Sequence, residues 1–365
     1  MGVKNVLMVT LMVGLIVGGL VWASSISGSG AASVLDQVHY IMLQDQEIRG
    51  LTFKQQPHIV VLTKAEAMEK FKPGKPDVKA LEMKGVMYKM SLLLPPNYSM
   101  VHAQESEEAG WIAVTIGDTI YIIKQNFDAN KATAERTIAH ELVHVLQKQW
   151  FNAPYGGPTL DSTLAIRALV EGDADLVADM FCEKNHIPIH KIRNLYTRDP
   201  MTDMGIFPYV FGDPFVRYLY KVGGWKLVNS AYKNLPVSTK QVMFPKLYIE
   251  GWRPVNVSAG LPNGYKVLHS DRMGAFYVFL IYWSHGSSYS TAMKFAKAWM
   301  GDRFLFGTNG TAYMLVWRVE FNSTTAAGEF CSYLRGLTLK DHYAKFKLVV
   351  NGDTVTLTAV KRIEK

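Results

Sequence analysis

A chain of 365 residues, 48% of them hydrophobic, 12% aromatic and 19% charged, has enough apolar content to offset its ordering entropy, which excludes a disordered polar segment. Lys and Arg total 39 against 31 Asp and Glu, a formal charge of +8, but the basic residues are scattered and form no block or aromatic-interleaved stripe, so no nucleic-acid partner is expected. The two cysteines, Cys182 and Cys331, exclude a disulfide scaffold and a cysteine-rich metal site, while one bridge or two buried thiols both remain open.

In chain order, residues 6–23 form an uncharged apolar run of 18 residues preceded by Lys4. As a helix it would be about 27 Å long, close to the thickness of the hydrocarbon core. With the positive charge ahead of it, the run reads as a secretory leader or an uncleaved anchor. Either places the body outside the cytoplasm, extracellular or membrane-anchored, with any membrane contact made through residues 6–23. A Gly/Ser/Ala linker covers 24–33. A helix is expected over 34–49, a strand over 59–62, a helix over 65–71 broken at Lys72-Pro73-Gly74, and a second helix over 77–93 stopped by Pro95-Pro96. Residues 111–116 and 119–124 are β-rich runs around Gly117-Asp118, a two-residue hairpin signal. From 129 to 300 the pattern is mostly helical, with breaks at 154–158, 188, 200–214 and 252–264. The apolar run 273–283 is too short to span a bilayer and reads as a buried helix. The tail returns to a strand over 312–321, a helix over 324–334 and a hairpin over 346–360 turning at Asn351-Gly352-Asp353. The expected class is α+β in four parts: leader and linker 1–33, a mixed α/β subdomain 34–128 with an edge hairpin, a helical region 129–300 that carries the chemistry, and an α/β subdomain 301–365.

His140-Glu141-Leu142-Val143-His144 stands well above background. Residues four apart on a helix share a face about 6 Å apart along the axis, so both imidazoles can reach one ion with Glu141 beside them. Ile138, Leu142, Val145 and Leu146 make an apolar stripe on another face, and Asn130 offers an N-cap. Two histidines need a further protein ligand to hold a divalent ion while keeping a position open. Glu171 supplies it, interrupting a run of apolar and small residues with one Arg, where an unpaired carboxylate is costly. Asp175, one turn later, is placed to accept the second ring N–H of a ligating histidine, and Gly172 lets another backbone approach. Asp173 and Asp179 read as solvated acids and Gln147 as a helix-face contact. The chain has no phosphate-loop motif, no nucleophile-elbow serine and no Pro-Cys-x-x-Cys pair, which removes phosphate-loop, serine-hydrolase and zinc-deaminase chemistry.

His140-Glu-x-x-His144, 26 intervening residues, then Glu171-Gly172-Asp173-Ala174-Asp175 resembles the gluzincin clan of zinc metallopeptidases, the thermolysin-like group, most strongly over 110–180. The wider wording around both motifs is similar to uncharacterised archaeal and bacterial members that are secreted or membrane-associated. Phe244 before Pro245 and Ala275 after Gly274 depart from the pattern. The resemblance implies a zincin-like catalytic core with one Zn²⁺ per chain held by His140, His144 and Glu171, and peptide-bond hydrolysis by a metal-activated water with Glu141 as general base. It also implies a peptide or protein substrate held along the 111–124 edge, and an oxyanion or substrate contact for which Tyr209, Tyr248 and His269 are candidates. A non-catalytic zinc-binding or scaffolding protein on a peptidase-like fold is the alternative, and a zinc hydrolase of a non-peptide substrate a third. The intact Glu141 speaks for turnover.

Overall fold

The computed structural model describes residues 29–72, 77–101 and 111–363. The apolar run at 6–23 and the turn Pro73-Gly74-Lys75-Pro76 lie outside the described residues. Among the described residues no helix is long and apolar enough to cross a membrane.

Helix α1 (Ser29–Arg49) begins inside the stretch read as linker and is followed by β1 (His58–Leu62), α2 (Lys64–Lys70) and α3 (Val78–Met90). Thr63 and Glu66 close a capping box on α2, and the Asp77 side chain caps α3. Strands β2 (Ala113–Ile116) and β3 (Thr119–Ile123) make the expected hairpin, with Gly117 at φ 69° in the turn. β1 pairs with β3 in parallel, so the sheet order is β1–β3–β2 and β2 is an edge. A short α4 (Lys124–Ala129) leads into α5 (Lys131–Phe151), whose first turn is capped by the Asn130 side chain accepting from Thr133 N. Thr115 Oγ1 donates to the Glu141 carbonyl at 3.0 Å, which seats the edge strand against α5.

Helices α6 (Leu160–Lys184) and α7 (Pro200–Ala231) pack backbone to backbone. A Cβ on Gly172 would stand 2.2 Å from Gly212 O, and one on Gly212 would stand 2.3 Å from Ala168 O, which is the close approach foreseen for Gly172. The break expected over 200–214 is absent. Pro200 opens α7 at its first turn behind the Asp199 cap, and Pro208 and Pro214 are carried inside the helix, where the kink falls instead at Gly223 and Gly224.

The remainder comprises α8 (Thr239–Met243), α9 (Pro245–Ile249), β4 (Lys266–Asp271), α10 (Ala275–Ser284), α11 (Tyr289–Ala298), β5 (Trp299–Thr308), β6 (Ala312–Phe321), α12 (Thr324–Thr338), β7 (Lys345–Asn351) and β8 (Thr354–Arg362). The five strands form an antiparallel sheet in the order β4–β5–β6–β8–β7. β4 lies inside the stretch read as helical: its first three residues are exposed and its pairing is bulged, so it lacks the alternation that marks a half-buried strand. The apolar run 273–283 becomes α10, buried along nearly its whole length.

One core joins α1, α5, the three-stranded sheet and the end of α6; a larger one joins α6, α7, α10 and the inner face of the five-stranded sheet. Asp302 of β5 accepts from Met273 N and Gly274 N at 2.9 Å and from the Trp299 and Trp317 indoles at 3.1 Å. Cys182 and Cys331 are both free and buried. The architecture is α+β.

Gly172→Ala should destabilise the chain by about 1–3 kcal/mol or more, because the blocking atom is backbone and cannot rotate away. Gly328→Ala on α12, where an added Cβ meets nothing within 4 Å, should stabilise it by about 0.5–1 kcal/mol. Urea unfolding of both variants beside the parent measures the contrast.

Candidate metal centre

Helix α5 presents His140 and His144 on one face and α6 sets Glu171 against them. His140 Nε2 is 3.1 Å and His144 Nε2 3.4 Å from Glu171 Oε2. The three ligand atoms lie within 4.8 Å of one another and all three residues are buried. The rings meet edge to face with centroids 4.8 Å apart. Two imidazoles and one carboxylate in this arrangement can hold a metal ion and leave a position for a further ligand.

Each ring is oriented through its other nitrogen. His140 Nδ1 lies 3.3 Å from Asp175 Oδ1, and His144 Nδ1 lies 2.9 Å from Gln147 Oε1. The Gln147 amide cannot turn over, because its Nε2 donates to Val170 O at 2.8 Å and Asp173 Oδ2 at 3.2 Å. The network therefore places a proton on Nδ1 of both histidines and turns Nε2 toward the Glu171 carboxylate, to which His140 Nε2 donates at 3.1 Å. Gln147, read from the sequence only as a helix-face contact, is the second orienting group.

Asp173 and Asp179, read as solvated, are buried and charge-paired. Asp173 receives Arg49 Nε at 2.9 Å and Tyr232 Oη at 2.7 Å, and the Arg49 guanidinium lies 4.3 Å over the Trp225 ring. Arg136 donates to Asp175 at 2.6 Å and to Asp179 at 2.8 and 3.0 Å; Lys191 and Arg217 complete Asp179 and reach Asp213. Arg49, Arg136 and Arg217 come from elements far away in the chain, so no local pattern announces them.

Burial resists a charged His140, yet hydrogen bonds and charge from Asp175 and Glu171 outweigh it and push its pKa up to about 10. Glu171 is held at about 2: burial opposes ionisation, and the His144 and His140 charges overcome it. Asp175 stays well below the ordinary carboxylate range despite burial because Arg136 and His140 face it. The centre favours positive charge.

Glu141 is 5% exposed, and its Oε2 is buried with no hydrogen-bond partner. Two phenols stand close. Tyr155 Oη is 3.1 Å from His144 Nδ1, and the Tyr209 ring centroid is 6.4 Å from that of His140. Burial, then the Glu171 charge, raises both phenol pKa values well above normal, so both remain donors. Tyr155 escaped the sequence reading, its only signal being a position between the two motif helices. Tyr248 and His269 are not gathered here. Tyr248 donates to Asn234 O at 2.7 Å and packs edge-on to Phe215, while His269 sits on β4 beside Asp271 at 3.2 Å. A cavity of about 110 Å³ next to His144 is lined by Thr115, Gly117, Gln147, Lys148, Ala153 and Tyr155. A larger hollow of about 440 Å³ between α11 and α12 contains none of these residues.

Residues 99–150 match the eCIS core domain, a family associated with zinc-metallopeptidase-like fragments; the match spans the hairpin and both histidines and stops before Glu171. Residues 265–362 match a domain of unknown function (DUF8575), the span of the five-stranded sheet with α10, α11 and α12. No curated protein matches the chain.

Asp175→Asn should weaken metal binding about 10–100-fold by releasing the His140 ring from its oriented tautomer. Competition titration against a chromophoric chelator measures this; unchanged affinity would dismiss Asp175 as the orienting group.

Proposed function

We propose that this chain is a zinc-dependent peptidase of the gluzincin type, the clan its motifs resemble, working on peptide or protein substrates outside the cytoplasm. The observation that carries the reading is the buried His140–His144–Glu171 group with an unpartnered Glu141 oxygen in the same helix turn. The donor set suits zinc, which when bound supplies a Lewis acid and a water activated at neutral pH.

The protein groups have separable tasks. Glu141 takes the proton of the attacking water and returns it to the leaving amine nitrogen. Tyr155 and Tyr209, both kept protonated, are the donors for the developing oxyanion. β2, a free sheet edge bonded to α5 at the Glu141 carbonyl, receives an extended peptide as an added strand. The cavity beside His144, about 110 Å³, takes one substrate side chain. The eCIS core match supports the metallopeptidase part of this reading over 99–150. The extracytoplasmic setting rests on the uncharged run at 6–23. A zinc-binding scaffold without turnover would keep the three ligands but has no task for Glu141.

The full chain should carry about one zinc, lost in His140→Ala and in Glu171→Ala. Glu141→Gln should keep the metal and lose cleavage of unstructured casein by at least about a hundredfold. Metal analysis and a labelled-casein assay decide it: a Glu141→Gln chain as active as the parent removes the general base, and a parent that binds zinc but cleaves no peptide favours the scaffold.

A further inference from the structure

The acids of α6 come with cations: Asp161 pairs with Arg272 at 3.0 Å, Asp173 with Arg49 at 2.9 Å, and Asp175 and Asp179 with Arg136 at 2.6 and 2.8 Å. Arg167 reverses the pattern. It is half-buried in the same helix, and among the described residues no carboxylate lies within ion-pairing distance of it. Among the described residues its one hydrogen bond runs from Nε to the Tyr155 carbonyl at 3.0 Å, which ties it to the loop beside the His144 pocket and gives its two terminal nitrogens no partner there. It sits one turn before Glu171 on the same helix face. Burial lowers its pKa, with Glu171, Tyr209 and Tyr155 working the other way, so those three are its electrostatic neighbours. Half-buried and with no carboxylate at ion-pairing distance among the described residues, the guanidinium keeps its planar fork available, and that fork matches a carboxylate at two points.

We infer that Arg167 is a specificity residue that receives a carboxylate of the substrate, so that peptides bound here carry an acidic side chain or their own C-terminal carboxylate close to the scissile bond. This rests on the peptidase reading above.

The test uses the full zinc-loaded chain bearing Glu141→Gln, so that bound peptides persist, and follows fluorescence anisotropy. The labelled peptides differ only in Glu against Gln beside the central bond, each with a free or an amidated C-terminus. A carboxylate-bearing peptide should bind at least about tenfold tighter than its neutral counterpart, as one charge-assisted hydrogen bond supplies. Which pair shows the difference identifies the carboxylate. Adding Arg167→Gln should erase the difference, Arg167→Lys should retain part of it, and Arg167→Glu should turn the preference toward the neutral peptides. Equal binding of all the peptides, or an acid preference that survives Arg167→Gln, overturns the inference. An acid preference in a chain whose parent form cleaves nothing leaves Arg167 as a carboxylate receptor and defeats the peptidase reading. Cleavage without that preference does the reverse.

Discussion

Five carboxylates of one helix, Asp161, Glu171, Asp173, Asp175 and Asp179 of α6, are taken out of water, and the fold around them is organised by the need to answer that charge. α1 sends Arg49 to Asp173, α5 sends Arg136 to Asp175 and Asp179, Arg272 at the end of β4 reaches Asp161, and α7 sends Arg217 to Asp179. Where no cation is delivered, the alternative outcome is visible. Asp45 of α1 is fully buried with neither oxygen bonded, and burial raises its pKa well above normal, partly offset by His140. Packing alone would tolerate some sliding of α1 and α5 along α6; two-point ion pairs between buried groups do not.

The metal centre inherits its geometry from this arrangement. Arg136 holds Asp175, Asp175 holds His140, and Asp173 together with the Val170 carbonyl holds the amide that holds His144. The ligand atoms are thus positioned from behind by groups that are themselves charge-paired, and little of the orientation depends on the ligands' mutual contacts. Gly172 and Gly212 contribute differently. By letting α7 approach at backbone distance next to Glu171, they bring Tyr209 up to the His140 ring. A side chain at either glycine would separate the phenol from the centre by widening the helix crossing.

Within the core that the five-stranded sheet shares with this helical assembly lies one especially tight joint. Gly274, at φ 91°, starts α10 so close to Asp161 that a Cβ would lie 2.0 Å from its Oδ1, and Asp302 caps the same turn through the Met273 and Gly274 amides. The acid that opens α6 is therefore also the residue against which the sheet region docks. The portion matched to the domain of unknown function and the portion bearing Glu171 share this contact.

Much of the centre was legible locally. His140, Glu141 and His144 are spaced by the helix period, Glu171 breaks an apolar run, and Asp175 follows one turn later, all of it information carried within a few residues of sequence. The Gly117-Asp118 hairpin and the Asn130 cap were readable for the same reason, since turn and cap chemistry is short-range. Tyr155, the orienting amide of Gln147, the burial of Asp173 and Asp179, the lone guanidinium of Arg167 and the elimination of Tyr248 and His269 were not. Each depends on which distant element comes to lie opposite, and edge strand β4 was missed because its pattern is governed by neighbours it acquires only in the sheet. The sequence by itself determined the α+β class and pointed to the candidate ligand residues, because helical spacing and the cost of an unpaired acid are local quantities. Only the tertiary structure decided how those ligands are oriented and which charges remain uncompensated, because ion pairing over separations such as the 124 residues between Arg49 and Asp173 is settled by packing.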